Sequence, residues 1–514
     1  MNKIISASEA LTRRSFLSHT SKTIAGAAAL SALPIERFAF GAVSPGDTLK
    51  IALVGCGGRG SGAANQALST SENVKLVAIA DVHKDKVDGS LKGLAAQHKD
   101  KIEVPEDHKF MGFDAYKQAI ALADVVILAT PPGFRPMQFE EAVRQGKHVF
   151  TEKPVAVDAT GVRKFLAAAE EAKKKNLKVG VGLQRHHHAG HIECVKRLQD
   201  GAIGDIVALR AYWNGNTPWV YKRADLEAKA GRKLSEMEYQ LRNWYYFVWL
   251  CGDHINEQHI HNLDMINWVK NGYPVKARGN GGCEMRKGPD YGEIFDHHVV
   301  EYTYADGSVC FSQCRHQLGC WNEVGQQAIG TKGKSDFERN VITGANQWRH
   351  QGPVKDAYQQ EHDDLFAAIR NDTPYNEAFN GAYSTLTAIL GRMSTYSGKE
   401  VTWEQALNST LDTMVKGIDQ VPFAEAMRLE PPSKPDVYGW YPLPAPGKTD
   451  ALTQRPYQSQ TALVAASILP TVTPPPVVVQ PEPVKVTPHE PAPKKRTPAK
   501  GGAKGGAQDL LPRS

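Results

Sequence analysis

One glycine-rich turn constrains the fold of this chain more than any other feature. Residues 55–60 read Gly-Cys-Gly-Gly-Arg-Gly, a G-x-G-x-x-G pattern, directly after the apolar run 50–54. A short apolar run that ends in glycine is typical of a buried parallel strand. The first glycine permits a tight turn, the second lets the backbone approach a pyrophosphate, and the third lets a helix pack close to the strand. The turn therefore predicts a dinucleotide-binding unit.

An acidic residue stands where such a unit needs one. Asp81 closes a second apolar run, residues 74–80. A carboxylate there accepts hydrogen bonds from a ribose 2′-hydroxyl and repels a 2′-phosphate. We therefore expect NAD rather than NADP, although Arg59 could partly offset the repulsion. The alternative interpretation is a glycine-rich turn and an unrelated surface carboxylate.

Strands and helices alternate through the first part of the chain. Apolar runs at 125–129, 148–150 and 178–181 follow the two strands above, with helical patterns such as 159–174 between them. This alternation is typical of a doubly wound parallel sheet. We predict a Rossmann NAD-binding domain over residues 48–182.

The pattern then changes. Runs such as 206–213 and 298–304 alternate between apolar and polar residues, which predicts an open, mostly antiparallel sheet. Amphipathic helices at 361–370 and 382–396 should pack back on the first domain. The predicted fold class is α/β: an N-terminal Rossmann doubly wound parallel sheet plus a C-terminal α/β domain, residues 183–425, for substrate binding and oligomerisation.

The beginning of the chain resembles an export signal. Residues 12–17, Thr-Arg-Arg-Ser-Phe-Leu, resemble a twin-arginine motif, and the Ala-rich run 23–33 that follows is too short and too weakly apolar to span a bilayer. We expect residues 1–42 to be a twin-arginine signal segment that directs the protein to the periplasm or elsewhere outside the cytoplasm. A chance Arg-Arg pair is the alternative.

The end of the chain differs in composition. Residues 431–514 are predicted to be a Pro-rich, largely disordered tail, because their apolar content is too low to offset the entropy of ordering. From 481 to 514 seven basic residues outnumber three acidic ones, so this stretch carries most of the net charge of +6. The body is close to neutral, and we expect no nucleic-acid partner.

Two further motifs identify a family resemblance. The third strand ends in Thr130-Pro131, and the fourth is followed by Glu152-Lys153-Pro154. With the glycine turn, these residues resemble the Gfo/Idh/MocA oxidoreductase family over about residues 48–420. The resemblance implies a cofactor site built from Gly55, Gly57, Gly58, Arg59, Gly60, Asp81, Thr130, Pro131, Glu152, Lys153 and Gln184.

A second-domain segment supplies the candidate catalytic groups. Glu257 and His261 are four residues apart, and on one helix they would share a face. The resemblance places them at the family's acidic and histidine positions, although the family usually has Asp where this chain has Glu. Alcohol oxidation needs a base with a pKa near the working pH, which an unperturbed His261 supplies. Lys153 would lower the pKa of the alcohol by its charge or act as the base itself, and Glu257 could orient His261.

Polar and aromatic residues near these motifs are candidates for substrate binding. They are Arg185, His186, Arg242, Trp244, Tyr245 and His259. Trp213 and Trp219 add aromatic faces that suit a sugar ring, and core packing is the alternative for each aromatic residue. The run of histidines at 186–188 invites a metal interpretation, but its spacing matches no zinc motif, so we predict no metal.

These features favour an NAD(P)-dependent oxidoreductase acting on a sugar or polyol secondary alcohol. Since an exported enzyme has no large free NAD pool, we expect the cofactor to be tightly bound and recycled. The alternatives are an NAD-dependent glycosidase that works by transient oxidation and elimination, and a non-catalytic sugar-binding Rossmann protein. The family resemblance also implies a homodimer or homotetramer, and we predict no transmembrane segment.

Overall fold

The computed structural model describes residues 46–451. The predicted export signal, residues 1–42, and the part of the predicted tail beyond residue 451 lie outside the described residues. Within residues 46–451, no helix combines the length and the apolar character that a membrane crossing requires.

The first sheet has six parallel strands. They are β1 (Leu49–Val54), β2 (Val74–Asp81), β3 (Lys109–Met111), β4 (Val125–Leu128), β5 (His148–Thr151) and β6 (Val179–Val181), in the spatial order β3-β2-β1-β4-β5-β6. Ile51 and Leu53 on β1 are fully buried, as expected for a strand covered by helices on both faces. The order reverses between β1 and β4, and this reversal opens a crevice at their carboxyl ends.

Helices follow the strands of this domain. They are α1 (Gly58–Leu68), α2 (Lys84–His98), α3 (Ala115–Ala121), α4 (Arg135–Arg144) and α5 (Ala159–Lys174). The carboxylate of Asp158 accepts a hydrogen bond from the Gly161 N–H at 2.7 Å and so caps the start of α5.

The second sheet has nine strands and is almost entirely antiparallel. They are β7 (Ile206–Gly215), β8 (Lys276–Gly282), β9 (His297–Thr303), β10 (Val309–His316), β11 (Glu323–Gly330), β12 (Gly333–Asp336), β13 (Val341–Gly344), β14 (Trp348–Arg349) and β15 (Val401–Thr402). Their spatial order is β14-β13-β12-β11-β7-β10-β9-β8-β15, and only β7 and β10 pair in parallel. The two sheets confirm the predicted fold class.

The helices of the second part lie between and beside the sheets. They are α6 (Ala189–Gln199), α7 (Arg223–Ala230), α8 (Glu236–Arg242), α9 (Val248–Cys251), α10 (His254–Glu257), α11 (Ile260–Lys270), α12 (Ala357–Arg370), α13 (Ala378–Ser397), α14 (Trp403–Leu407) and α15 (Phe423–Ala426). Helix α12 returns to the first domain, as predicted, because Leu365, Phe366 and Ile369 share one apolar core with Leu49 and Ile51.

Residues 431–451, which we predicted to begin the disordered tail, pack against the second domain. Tyr441 is buried and its hydroxyl donates to Glu236 at 2.6 Å, while the carbonyl of buried Ser433 accepts from Gln240 at 2.8 Å. Aromatic residues such as Tyr441 supply enough apolar area for this segment to pack. The average composition of residues 431–514 did not reveal this, because the rest of the stretch is poor in apolar residues. The predicted boundary at 431 therefore lies inside an ordered segment.

Candidate active site

A deep cleft separates the carboxyl edge of the first sheet from the second domain. Its volume is about 1160 Å³, and both domains line it. The glycine turn, Asp81 and Lys153 form the wall of the first domain, whereas Glu257 and His261 belong to the opposite wall. A cleft at the topological switch point of a parallel sheet is where such folds bind nucleotides.

The glycine turn has the shape that a dinucleotide requires. Gly55 has φ +95°, and a Cβ there would lie 2.5 Å from the backbone of Ala129. A Cβ on Gly60 would lie 1.9 Å from the Gly55 oxygen, so the helix approaches the turn too closely for any side chain. A Cβ on Gly57 would meet no protein atom within 4 Å, because this residue faces the cleft at the start of α1. The turn fits a pyrophosphate against the helix N-terminus.

The carboxylate of Asp81 is held at the end of β2 by backbone N–H groups. Its Oδ2 accepts from Cys56 at 2.6 Å and its Oδ1 from His83 at 2.9 Å. Burial raises the pKa of Asp81, and these hydrogen bonds oppose that rise. The carboxylate lines the cleft, where its remaining acceptor capacity suits a ribose hydroxyl.

Arg59, on the first turn of α1, is engaged by two carboxylates. Its Nε contacts Glu152 and its Nη2 lies 3.4 Å from Glu361, while the guanidinium lies 4.7 Å from the Tyr358 ring centroid. We expected the positive charge of Arg59 to offset part of the repulsion between Asp81 and a 2′-phosphate. The two carboxylates neutralise much of that charge. Arg59 therefore weakens the preference for NAD less than its sequence position suggests.

The loop after β5 carries Lys153 to the centre of the cleft. Its neighbour Pro154, joined to it by a cis peptide, accepts a hydrogen bond from Arg135 through its carbonyl. Arg135 also donates to the Thr130 carbonyl at 2.7 Å, and Asn256 of the second domain donates to the Ala156 carbonyl at 3.0 Å. These bonds fix the loop to both walls.

Lys153 itself bridges the domains. Its Nζ donates to the backbone carbonyl of Glu257 at 2.7 Å and to Oε1 of Glu257 at 3.2 Å. Burial raises the pKa of Glu257, and Lys153 opposes that rise. The pair places a positive charge in the cleft between the two domains.

His261 is nearly buried and neutral. Burial lowers the pKa of its imidazole well below the usual 6.5, and the charges of Lys153, Arg185 and Arg59 lower it further. This corrects the expectation of an unperturbed histidine. The imidazole stacks on Trp213 with ring centroids 6.0 Å apart and lines the cleft, so it presents a neutral base to a bound molecule.

Glu257 and His261 do not share one helix. Helix α10 ends at Glu257, α11 begins at Ile260, and Gln258 between them has φ −111° and ψ −50°. Glu257 is paired with Lys153 rather than hydrogen-bonded to His261. The expectation that Glu257 orients His261 is therefore corrected: Arg185 lies behind His261 and donates to its backbone carbonyl at 3.4 Å.

Aromatic side chains form one part of the cleft wall. Trp213, Trp219, Trp244 and Tyr245 all line it. Trp219 contacts Trp244 and Tyr245, with ring centroids 5.8 and 5.9 Å apart. The hydroxyl of Tyr245 is buried without a hydrogen-bond partner among the described residues. Such a wall combines flat apolar faces with an unused polar group, as recognition of a sugar or polyol requires.

Four predicted site residues do not line the cleft. Gln184 lies in the turn before α6 with its Oε1 buried, and Arg185 donates to Gln326 at 2.7 Å. His186 is bonded to Asp264 at 2.7 Å. His259 is fully buried and bonded to Ser312 at 2.7 Å, because the break between α10 and α11 turns it away from the cleft.

Arg242 lines the cleft at the other end. Its guanidinium makes two contacts with Asp85, at 2.7 and 2.9 Å, next to Asp81 and His83. The sequence assigned Arg242 to substrate binding, whereas this position lies beside the expected adenosine. The guanidinium lowers the pKa of Asp85 to about 2.

A cluster of histidines lies behind the cleft wall. Ligand-type atoms of Asp253, His254 and His298 lie within 4.8 Å of one another and are fully buried. The Asp253 carboxylate already accepts from His254 Nδ1 at 2.7 Å, from the Phe295 N–H at 3.0 Å and from the Tyr396 hydroxyl at 2.5 Å. Hydrogen bonding to a buried carboxylate therefore explains this cluster.

Two residues that line the cleft, Arg135 and Gln258, were not predicted from the sequence. Arg135 opens α4 directly after the Thr130-Pro131 turn, a position that could have drawn attention to it. Gln258 lies between the two candidate catalytic residues and lines the cleft, and the interruption of the helix, invisible in the sequence, directs it there.

A parallel sheet of this order, with its glycine turn at the switch point and its acid on the next strand, is the cofactor domain of an NAD-binding oxidoreductase. The model of the Gfo/Idh/MocA family, described as an oxidoreductase family with an NAD-binding Rossmann fold, matches residues 49–182. Residues 49–182 are thus an NAD-binding Rossmann domain similar to that of this oxidoreductase family.

Relatives with assigned activities match part of the chain. The inositol 2-dehydrogenase of Rubrobacter xylanophilus is 27% identical over 294 residues, covering 56% of this chain and 71% of that enzyme. The 2,7-anhydro-N-acetylneuraminate hydratase of Escherichia coli is 25% identical over 228 residues, covering 44% of this chain and 54% of that enzyme.

A solved structure shares the fold. Scyllo-inositol dehydrogenase from Lactobacillus casei, with bound NAD(H) and scyllo-inositol, aligns with a TM-score of 0.52 at 22% identity and covers 70% of this chain and 100% of that one. The likeness extends over the whole length of that protein.

Proposed function

We propose that this protein uses a tightly bound, recycled NAD to oxidise a secondary alcohol of a polyol or sugar. The observation that carries the proposal is the juxtaposition of Lys153, Glu257 and His261 in one cleft with the glycine turn and an aromatic wall. The three side chains suit the chemistry of an alcohol, the glycine turn suits a dinucleotide, and the aromatic wall suits a polyhydroxylated ring.

Oxidation of a secondary alcohol removes a proton from oxygen and a hydride from carbon. NAD bound in this cleft would supply the hydride acceptor. The chain must therefore supply a base for the O–H proton and a positive charge that makes the alcohol more acidic. Neutral His261 is suited to take the proton, and the Lys153 ammonium is suited to donate a hydrogen bond to the developing alkoxide.

Glu257 keeps Lys153 in place for this role. Its backbone carbonyl and its carboxylate both accept from Nζ, so the ammonium reaches across the cleft instead of retracting into its own domain.

Inositols are the first substrates to test. The relatives named above include an inositol 2-dehydrogenase and a scyllo-inositol dehydrogenase. Purified protein should be incubated with NAD and with inositols or free sugars, and reduced nicotinamide followed by absorbance. Reduction with an inositol in wild type but not in a Lys153→Ala variant would support the proposal, and NAD binding without reduction by any polyol would contradict it.

A redox-neutral reaction on a sugar derivative is the second candidate. It is favoured by the resemblance to a hydratase and by the apolar part of the cleft lining, which includes Leu226, Leu241, Phe423 and Met427 and suits retention of a bound cofactor. A retained cofactor suits a cycle in which the hydride returns to the substrate. Release of the aglycone from aryl glycosides without accumulation of reduced nicotinamide would select this reaction over net dehydrogenation.

We also propose that the protein is exported by the twin-arginine pathway to the periplasm. The Arg13-Arg14 pair within a matching motif supports this. Replacement of both arginines by lysine should retain the protein in the cytoplasm. Periplasmic recovery of that variant at the wild-type level would contradict the export route.

A homodimer or homotetramer assembled through the open sheet is a further part of the proposal. Val299 and Phe311 lie on its exposed face, each 48% exposed, and exposed large apolar residues on a sheet favour contact with a second copy. Light scattering after gel filtration should give a mass of two or four chains. Phe311→Lys should lower that mass, whereas a monomeric wild type would contradict the proposal.

A further inference from the structure

We infer that Gln258 binds a second substrate oxygen next to the reacting alcohol, and that an Arg286–His316 relay fixes which end of its amide faces the substrate. This inference rests on the proposed function and narrows its substrate class to vicinal polyols. Gln258 lines the cleft between Glu257 and the turn into α11.

The relay begins at Arg286, which is buried. Its Nη1 lies 3.2 Å from His316 Nδ1, and its Nη2 donates to the Phe295 carbonyl. A guanidinium has hydrogen-bond donors only. His316 Nδ1 must therefore accept, and it carries no proton.

The second step follows from the first. His316 is 1% exposed, and burial together with the nearby His254 and Arg286 lowers its pKa well below 6.5. A neutral imidazole that accepts at Nδ1 carries its proton at Nε2. His316 Nε2 lies 2.6 Å from Gln258 Oε1, so the ring donates and the amide oxygen accepts.

The amide group of Gln258 is left with one free end. Its oxygen is bonded to His316, and among the described residues no group accepts from its Nε2. Because Gln258 lines the cleft, the NH₂ group is available to a bound molecule. Because His316 holds the amide oxygen, the amide cannot flip, and the end that faces the cleft is always a hydrogen-bond donor.

This donor shares the cleft with the catalytic lysine. Lys153 Nζ bonds to the carbonyl of Glu257, the residue directly before Gln258. Lys153, Gln258 and neutral His261 all line the cleft, so two hydrogen-bond donors and one acceptor face the same space. A molecule with oxygens on two adjacent carbons matches this arrangement, with one oxygen on Lys153 and the next on Gln258, whereas an isolated alcohol would leave the Gln258 amide unpaired.

The test compares two substitutions of Gln258 in the NAD-loaded enzyme. Gln258→Met keeps the length of the side chain and removes the donor. Gln258→Glu keeps an oxygen for His316 but replaces the donor with an acceptor. Gln199→Met, at an exposed position on α6, is the matched control.

The substrates are myo-inositol and a set of its monodeoxy analogues. In wild type and in the control, the analogue that lacks the neighbouring hydroxyl should have a kcat/KM about tenfold lower than myo-inositol, the value of a hydrogen bond near the upper end of the neutral range. Gln258→Met should raise the KM for myo-inositol about tenfold and abolish this discrimination, with the Kd for NAD unchanged. Gln258→Glu should be impaired at least as strongly.

Three results would overturn the inference. Wild-type KM in Gln258→Glu would mean that only the bond to His316 matters. Undiminished discrimination in Gln258→Met would mean that Gln258 does not contact the second oxygen. If the NAD-loaded wild type neither binds nor oxidises any polyol, the proposed function fails together with the inference, whereas normal turnover in both variants removes the inference alone.

Discussion

Lys153 and Glu257 join the two domains across the cleft. The ammonium of Lys153 lies 2.7 Å from the backbone carbonyl of Glu257 and 3.2 Å from its Oε1. Lys153 follows β5 of the first domain and Glu257 ends α10 in the second domain, so the position of the charged group depends on how the two domains pack.

Loss of the Lys153 charge should affect the chemical step most. Lys153→Met keeps much of the apolar stem and removes the ammonium, so kcat for polyol oxidation should fall by at least about 100-fold, a typical loss for a group that stabilises charge in the transition state. Steady-state kinetics together with the Kd for NAD measure this effect. Lys174→Met, at an exposed position on α5, is the control, and a kcat within about twofold of wild type in Lys153→Met would refute the role of the ammonium.

The acid limb of the pH profile should report His261. Burial and neighbouring positive charges lower its pKa well below 6.5, so the imidazole stays neutral through pH 7 and gains a proton only at lower pH. We expect kcat/KM to be flat around neutrality and to fall only at acidic pH, since a protonated imidazole cannot act as a base. The profile of wild type should be compared with that of His98→Asn, a substitution on α2 outside the cleft.

An acid limb centred near pH 7 or above would contradict this assignment. His261→Asn should lower kcat by at least about 100-fold across the whole range. A variant that keeps both the rate and the wild-type limb would show that another group takes the proton.

The choice between NAD and NADP should depend on Asp81. Its carboxylate faces the cleft with both oxygens held by backbone N–H groups, and it cannot turn away from a 2′-phosphate. Asp81→Ser should lower the ratio of the Kd for NADP to the Kd for NAD by at least about tenfold, because like charges at this distance are costly. Asp88→Ser, on the same helix as Asp85 but paired with Lys84, should leave the ratio unchanged, and an unchanged ratio in Asp81→Ser would argue against the assignment.

The ion pair between Arg242 and Asp85 should slow the release of the cofactor. It links α8 of the second domain to α2 of the first beside the adenosine end of the cleft. A partly exposed pair contributes up to about 1 kcal/mol, so Arg242→Ala should raise the dissociation rate of NADH about twofold to fivefold. Displacement followed by nicotinamide fluorescence measures this rate. Arg278→Ala removes a comparable surface pair with Glu301 and should have no effect. Equal dissociation rates in wild type and Arg242→Ala would show that the ion pair with Asp85 does not slow the release of the cofactor.

Local sequence was sufficient for most of the cofactor side of the site, although not for Gln184, which does not line the cleft. The glycine turn, Asp81 and Lys153 each follow a short buried strand, and in a parallel sheet the ends of such strands converge at one edge. The chain direction and the strand order therefore bring these residues together. Strand β8 was not predicted, because its glycines obscure the alternation of apolar and polar side chains, and Gly279 is needed where the Val299 carbonyl approaches.

The substrate side was harder to predict because spacing does not give side-chain direction. A continuous helix would have placed Glu257 and His261 on one face, but the chain interrupts the helix at Gln258 and turns His259 towards Ser312. The same break brings Gln258 into the cleft. Arg242 could not be assigned from the sequence because its partner, Asp85, belongs to another domain.

A single-turnover experiment with NAD-loaded protein and myo-inositol tests the proposed hydride transfer itself. Nicotinamide absorbance after rapid mixing should show reduced cofactor, up to one equivalent per site, in wild type. In Lys153→Met, the rate at which reduced nicotinamide forms should be at least about 100-fold lower. This outcome is expected whether the hydride is later released or returned to the substrate. A wild-type protein that binds both molecules and yet forms no reduced nicotinamide with any polyol would contradict the proposed oxidation of an alcohol by bound NAD.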